Sequence, residues 1–196
     1  PYVECPAGLT ELAEKILWID ERTGIVPGVC QRGPYPDVMR GEEVQLVGAV
    51  AAGAASPDSL VCHPGTHAKW ADMEAGRITR FSTMMTGEVF ALLREHSILA
   101  ADLKGEVTPG PEFEAGVAEG MAGEAPLSAL FRIRARRLLE GASADGVSRA
   151  SGILIGSEVA GALRSFRDKS VSVIGRSDLC KLYATALRLA GRECTT

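Results

Sequence analysis

The chain lacks the short glycine signatures of the commoner nucleotide-binding and hydrolase folds. It contains no G-x-x-x-x-G-K-[ST], no G-x-S-x-G and no G-x-G-x-x-G, so P-loop, α/β-hydrolase and Rossmann chemistry lose support. It has no excess of basic charge either. Lys and Arg total 21 against 25 Asp and Glu, the net charge is −4 and the pI about 5.5. No stretch joins a basic face to aromatic side chains, which disfavours nucleic acid as a partner. The longest apolar run, Val44 to Ala55, is broken by Gln45 and by glycines and is too short to span a bilayer. No signal peptide precedes it, and no membrane association is expected. The five cysteines, at positions 5, 30, 62, 180 and 194, are odd in number and form no C-x-x-C. Reduced structural thiols, and hence a cytoplasmic location, are the reading this favours. Cys62, next to a turn of interest, is weighed as a reactive thiol against that background.

What is present suits a folded α/β protein of one to two domains: 46% of the 196 residues are hydrophobic, enough for a sizeable core. The most informative stretch is 61–88. An apolar start (Leu60, Val61) runs into Pro64-Gly65-Thr66, a turn at which successive backbone N–H groups can point one way and cradle an anion. Thr66 adds a hydroxyl and Lys69 a compact positive charge. A second extended piece (Lys69 to Met73), a Glu74-Ala75-Gly76-Arg77 turn and a third (Ile78 to Thr83) follow. Thr86-Gly87-Glu88 then caps a helix with Val89, Leu92, Leu93 and His96 on its apolar face. The order strand, phosphate turn, strand, tight turn, strand, helix is that of one lobe of a ribonuclease H-like (actin-like ATPase) fold with a mixed sheet. The three antiparallel strands are expected beside a parallel strand at 171–175.

Elsewhere the period of apolar residues predicts a helix over Leu9–Leu17, a short strand over Gly24–Pro27, and a tight connection over 32–41. A helix over Glu42–Ala54 has two carboxylates in its first turn, and Pro57-Asp58 marks a lobe boundary. Short helices and loops are expected in 100–125, and a helix over Leu127–Leu139 carries Arg132, Arg134, Arg136 and Arg137. Those arginines read as a solvated cationic face or as a contact for a substrate carboxylate. In the helix Ser151–Leu163, Gly152, Gly156 and Gly161 are expected to pack closely on the sheet. The strand Val171–Gly175 runs into a helix capped by Ser177 and closed by Gly191. Residues 1–56 then form the remainder of a first lobe and an interlobe helix. Residues 57–196 form a second lobe with a helical insertion at about 100–150.

Six stretches stand out: Asp37-Val38-Met39-Arg40-Gly41-Glu42-Glu43-Val44-Gln45, His63-Pro64-Gly65-Thr66-His67-Ala68-Lys69-Trp70, Met85-Thr86-Gly87-Glu88, His96-Ser97-Ile98-Leu99, Gly152 to Val159 and Leu179 to Gly191. Together they resemble the 2-dehydro-3-deoxygalactonokinase family of sugar kinases. They occur in family order over nearly the whole chain. The resemblance implies ATP- and Mg²⁺-dependent phosphorylation of a six-carbon 2-keto-3-deoxy sugar acid, 2-dehydro-3-deoxy-D-galactonate, at its terminal hydroxyl, in galactonate catabolism. The Asp-x-Gly-Thr-Thr-like loop that opens family members has no match here, and the chain reads as an internal piece of a longer, inactive-when-isolated kinase. A homodimer is left open.

The resemblance also assigns roles. The stretch Arg40 to Gly48 is similar to the Gly-Asp-Gln-Gln-type helix start of the glycerol-kinase group, whose catalytic aspartate falls on Glu42. Glu42 and Glu43 alternatively only complement the helix dipole. Arg40 and Glu43 are candidate substrate contacts, with an Arg40–Asp37 ion pair as the other reading of Arg40. Gly65, Thr66, His67 and Lys69 are candidate phosphate contacts, and Gly175 and Ser177 candidate adenosine contacts. No metal ligands are expected: His63 and His67 have i,i+4 spacing, but Pro64-Gly65 forbids a helix between them. His96 reads as a core histidine. A non-catalytic module binding nucleotide or sugar acid is the alternative to a kinase.

Overall fold

The computed structural model describes residues 1–123, 125–141, 145–166 and 169–196. Its elements in chain order are β1 (Tyr2–Glu4), α1 (Leu9–Glu14), β2 (Leu17–Trp18), β3 (Gly24–Ile25), β4 (Gly28–Gln31), β5 (Asp37–Met39) and α2 (Glu42–Ala51). There follow β6 (Leu60–His63), β7 (Ala68–Glu74), β8 (Arg77–Met84), α3 (Thr86–His96), α4 (Pro111–Met121), α5 (Pro126–Glu140), α6 (Gly146–Ser165), β9 (Val171–Val173), α7 (Ser177–Leu189) and β10 (Cys194–Thr195).

The central sheet is mixed, in the order β10-β9-β6-β7-β8. As expected, β6, β7 and β8 are antiparallel neighbours, and β9 lies parallel to β6 with Leu60 opposite Val171. The β7–β8 hairpin closes through Ala75 and Gly76, both at positive φ. That is the two-residue turn whose twist matches its strands. Side chains alternate across β7: Ala68 and Trp70 enter a core with α4, α6 and α7, whereas Ala71 and Met73 enter one with α1, α2 and β4. The sheet is therefore covered on both faces, and residues on either side of position 56 share the second core.

The free edge of β8 is closed by the N-terminal segment rather than left to pair with another chain. Ala7 bridges Ile78, Gln31 Oε1 accepts from Phe81 N at 3.0 Å, and Asp37 accepts from Thr83 N at 2.6 Å and Thr83 Oγ1 at 2.7 Å. This explains two departures from the sequence reading. Residues 32–41 are not only a connection, because 37–39 form β5. The Leu9 helix stops at Glu14, because Leu17 and Trp18 pair with Ile25 and Gly24.

Close helix packing is concentrated at α4 and α6. A Cβ on Gly116 or Gly120 would lie 2.2 Å from an α6 carbonyl oxygen, and one on Gly152 or Gly156 would lie 2.2 or 2.4 Å from an α4 carbonyl oxygen. Gly152 and Gly156 therefore serve a helix pair, not the sheet, and Gly161 meets only the tip of Arg164 at 3.9 Å. The arginines of α5 are also not a merely solvated face. Arg134 and Arg137 pair with Asp102, whose side chain is 2% exposed, and Arg132 and Arg136 pair with Glu119, which Arg149 meets at 2.5 Å. Non-local carboxylates decide their place. Among the described residues no helix is long and apolar enough to cross a membrane.

Candidate functional site

Three segments far apart in sequence meet at one end of the sheet. The first is the start of α2. Gly41, at φ 109°, adopts a backbone that favours glycine and turns the chain so that two carboxylates fold back over the helix N-terminus. The amide of Arg40 donates to Glu42 Oε2 at 3.2 Å, and the amide of Gly41 donates to Glu43 Oε2 at 2.7 Å. Both bonds satisfy N–H groups close to the helix start. Glu43 is only 1% exposed; burial pushes its carboxyl up, against the opposing hydrogen bond from Gly41. It thus sits inside the fold and is not presented to a substrate. Arg40 does not pair with Asp37, which is occupied by Thr83. Its guanidinium lies over the Tyr2 ring, 4.9 Å from the centroid, on an exposed surface.

The second segment is the Pro64–His67 turn between β6 and β7. Gly87, near the start of α3, packs against it so tightly that a Cβ there would sit 2.4 Å from Gly65 O. Thr66 O accepts from Glu88 N at 3.0 Å, and His67 meets Glu88 Oε2 at 2.6 Å. His67 thereby ties the turn to α3. Thr66 remains exposed. Lys69 does not extend toward the open side of the turn: its side chain is 3% exposed, and its ammonium lies 2.9 Å from Glu42 Oε1 and donates to His67 O at 3.1 Å. Burial alone would raise the Glu42 carboxyl, but the hydrogen bond and charge of Lys69, together with backbone hydrogen bonds from the helix start, outweigh it and hold Glu42 below the usual carboxylate range. His63, the cross-strand partner of Lys69, hydrogen-bonds Gln45 one turn along α2, and burial holds its imidazole below the ordinary value.

The third segment is the β9–α7 turn. Gly175 has φ 139°, and a Cβ there would lie 3.7 Å from Pro64 O and 3.9 Å from His63 Nε2. The two turns named from sequence are therefore adjacent. Ser177 is the first residue of α7 rather than its cap; Arg176 takes the cap position and makes no side-chain cap bond. A cleft of about 610 Å³ opens here, its wall including Gly65, Gly87, Phe90, Arg94, Arg176 and Tyr183. Of these, the last four were not picked out from the sequence. Phe90 and Arg94 are one helical turn apart on α3, and that spacing was the available signal. It was masked by assigning the helix face to Val89, Leu92, Leu93 and His96: Leu92 and His96 are exposed, whereas Leu93 packs inward together with Phe90.

Behind the cleft lies a buried carboxylate. Glu158 accepts from Trp70 Nε1 at 2.7 Å and from Tyr183 OH at 2.9 Å. Burial raises its carboxyl despite these bonds and one from Thr86. Cys62 is fully buried and burial pushes its thiol well up, so it does not act as a nucleophile. All five cysteines are free thiols.

Residues 1–196, the whole chain, match the model of a family described as 2-keto-3-deoxy-galactonokinase. The chain belongs to that family. A protein of Rhizobium meliloti (strain 1021) described as a probable 2-dehydro-3-deoxygalactonokinase is 43% identical over 97% of this chain and 65% of its own length. The 2-dehydro-3-deoxygalactonokinase of Escherichia coli (strain K12) is 35% identical over 100% of this chain and 67% of its own length. A crystal structure from Sinorhizobium meliloti, under the same enzyme name given provisionally, superposes with a TM-score of 0.90 at 39% identity, over 98% of this chain and 67% of that one. The chain thus spans about two-thirds of the length of these 2-keto-3-deoxy-galactonokinase relatives.

Proposed function

We propose that this chain carries the base and part of the nucleotide site of a carbohydrate kinase that transfers phosphate from ATP to the terminal hydroxyl of 2-dehydro-3-deoxy-D-galactonate, giving the 6-phosphate. The observation that carries this reading is the convergence of the α2 start, the Pro64–His67 turn and the Gly175 turn at one end of the sheet, in a chain of this family. In it, residues 57–196 are a ribonuclease H-like, actin-like lobe, and residues 1–56 are the end of a preceding lobe closing its sheet edge.

Phosphoryl transfer asks a protein chiefly for positioning and for neutralisation of charge. Gly65 and Thr66 offer backbone donors and a hydroxyl to the phosphates, and Gly175 and Ser177 flank the adenosine. Arg40, on an exposed surface near the α2 start, is the candidate for the sugar carboxylate. The substrate hydroxyl oxygen forms its bond to the γ-phosphorus as the bond to the β–γ bridging oxygen breaks. ADP leaves, and the hydroxyl proton passes to the Glu42 carboxylate. Magnesium would arrive with the phosphates, which commonly supply much of its coordination. Among the described residues no group of three carboxylate, imidazole or thiolate side chains could hold it.

The test is ADP release by the full-length protein containing this segment, against a panel of keto-deoxy sugar acids. Release dependent on 2-dehydro-3-deoxy-D-galactonate is expected. ATP binding without sugar-dependent release would leave a binding module instead.

A further inference from the structure

We propose that Lys69 is a positioning residue for Glu42: its buried ammonium, held between the Glu42 carboxylate and the carbonyl of His67, fixes the direction and the negative charge of Glu42 instead of binding phosphate. This rests on the proposed role of Glu42 as base.

The placement follows from strand alternation. Lys69 shares the face of β7 that carries Ala71 and Met73, and that face is covered by Leu46 and Val47 of α2. A lysine at the end of such a face cannot reach solvent, and a buried ammonium persists only where its donors find acceptors. Here the acceptors are Glu42 Oε1 at 2.9 Å and His67 O at 3.1 Å. One of them belongs to the candidate base and the other to the phosphate turn, so the side chain spans the two. Two of its three donors are thus taken, and with the side chain 3% exposed the ammonium is directed to these acceptors and not to the open side of the turn.

The groups facing Glu42 are few. From β7 comes Lys69 and from β6 His63; on its own helix end lie the Arg40 amide and the neighbouring Glu43 carboxyl. Of these, Lys69 alone joins it in a salt bridge.

Two measurements decide the matter. The first is a carbon-detected NMR titration of the Glu42 carboxyl in this chain, with Lys69→Met and Lys69→Arg. Glu42 should titrate below the ordinary carboxylate range in the parent, move upward in Lys69→Met, and stay low in Lys69→Arg. Should Lys69→Met not fold, Glu42→Gln reads the same pair from the other side. The side-chain nitrogen and proton resonances of the Lys69 ammonium should then shift, because its charged acceptor is gone. An unmoved partner in both variants would overturn the pairing, and this readout needs no turnover. The second is the pH profile of the full-length enzyme. In Lys69→Met the acid limb of kcat should move to higher pH, with KM for ATP changed less than about twofold. A rise of about tenfold or more in KM for ATP with the acid limb unmoved would make Lys69 a phosphate ligand and overturn the proposal.

Discussion

Asp37 on β5 accepts both hydrogen-bond donors of Thr83 on β8, the amide at 2.6 Å and the hydroxyl at 2.7 Å. Three residues later the chain reaches Arg40, then Gly41, and enters α2. The pair thus sets where α2 begins relative to the sheet, and with it the position of Glu42 over β7. A carboxylate that closes a strand edge here also locates the proposed base.

In the full-length enzyme, Glu42→Gln keeps the size of the side chain but removes the proton acceptor. General-base contributions are typically about 10²–10⁴-fold. Steady-state kinetics should show kcat falling within that range, with KM for ATP little changed.

Thr66→Ala removes the exposed hydroxyl of the turn without touching its backbone donors. A hydrogen bond to a charged group contributes about 1.5–3 kcal/mol. KM for ATP should rise about tenfold or more, while the KM for the sugar acid holds.

Gly152→Ala and Gly161→Ala lie on one helix and should have opposite signs. At 152 the new methyl meets the Phe113 carbonyl oxygen at 2.2 Å, so α4 and α6 must separate. A loss of about 1–3 kcal/mol or more is expected. At 161 the methyl meets only a flexible arginine tip, and the propensity of alanine should contribute about 0.8–1.0 kcal/mol of stability. Urea denaturation of each variant checks both.

Tyr183→Phe leaves Glu158 with one donor fewer in a buried place, at a cost of about 1–3 kcal/mol. The folded Glu158 carboxyl is raised above its ordinary 4.5, so its contribution to stability is full below that value and is lost as pH rises through the folded one. The Tyr183 bond favours the ionised form and softens that loss. The variant should therefore be penalised most on the alkaline side, a trend that thermal melts across pH would reveal.

The strands β6 to β9, the Ala75-Gly76 turn, the Pro64–His67 turn and the helix beginning at Glu42 were legible from residues 42–88 and 171–191. Each depends on local causes: alternation of apolar side chains, glycine backbone freedom and carboxylates at a helix start. The partners of charged side chains were not legible. Lys69 looked like a phosphate ligand because a turn lies next to it, yet α2 covers its face of the sheet and Glu42 takes its ammonium. The α5 arginines read as a solvated face or a substrate-carboxylate contact, yet Asp102 and Glu119 reach them from other segments. Gly152 and Gly156 announced close approach but not that α4 was the neighbour. Local sequence carries backbone conformation and burial pattern, whereas the partner of a charge depends on which distant segment packs opposite, and that emerges only once the sheet and its covering helices are assembled.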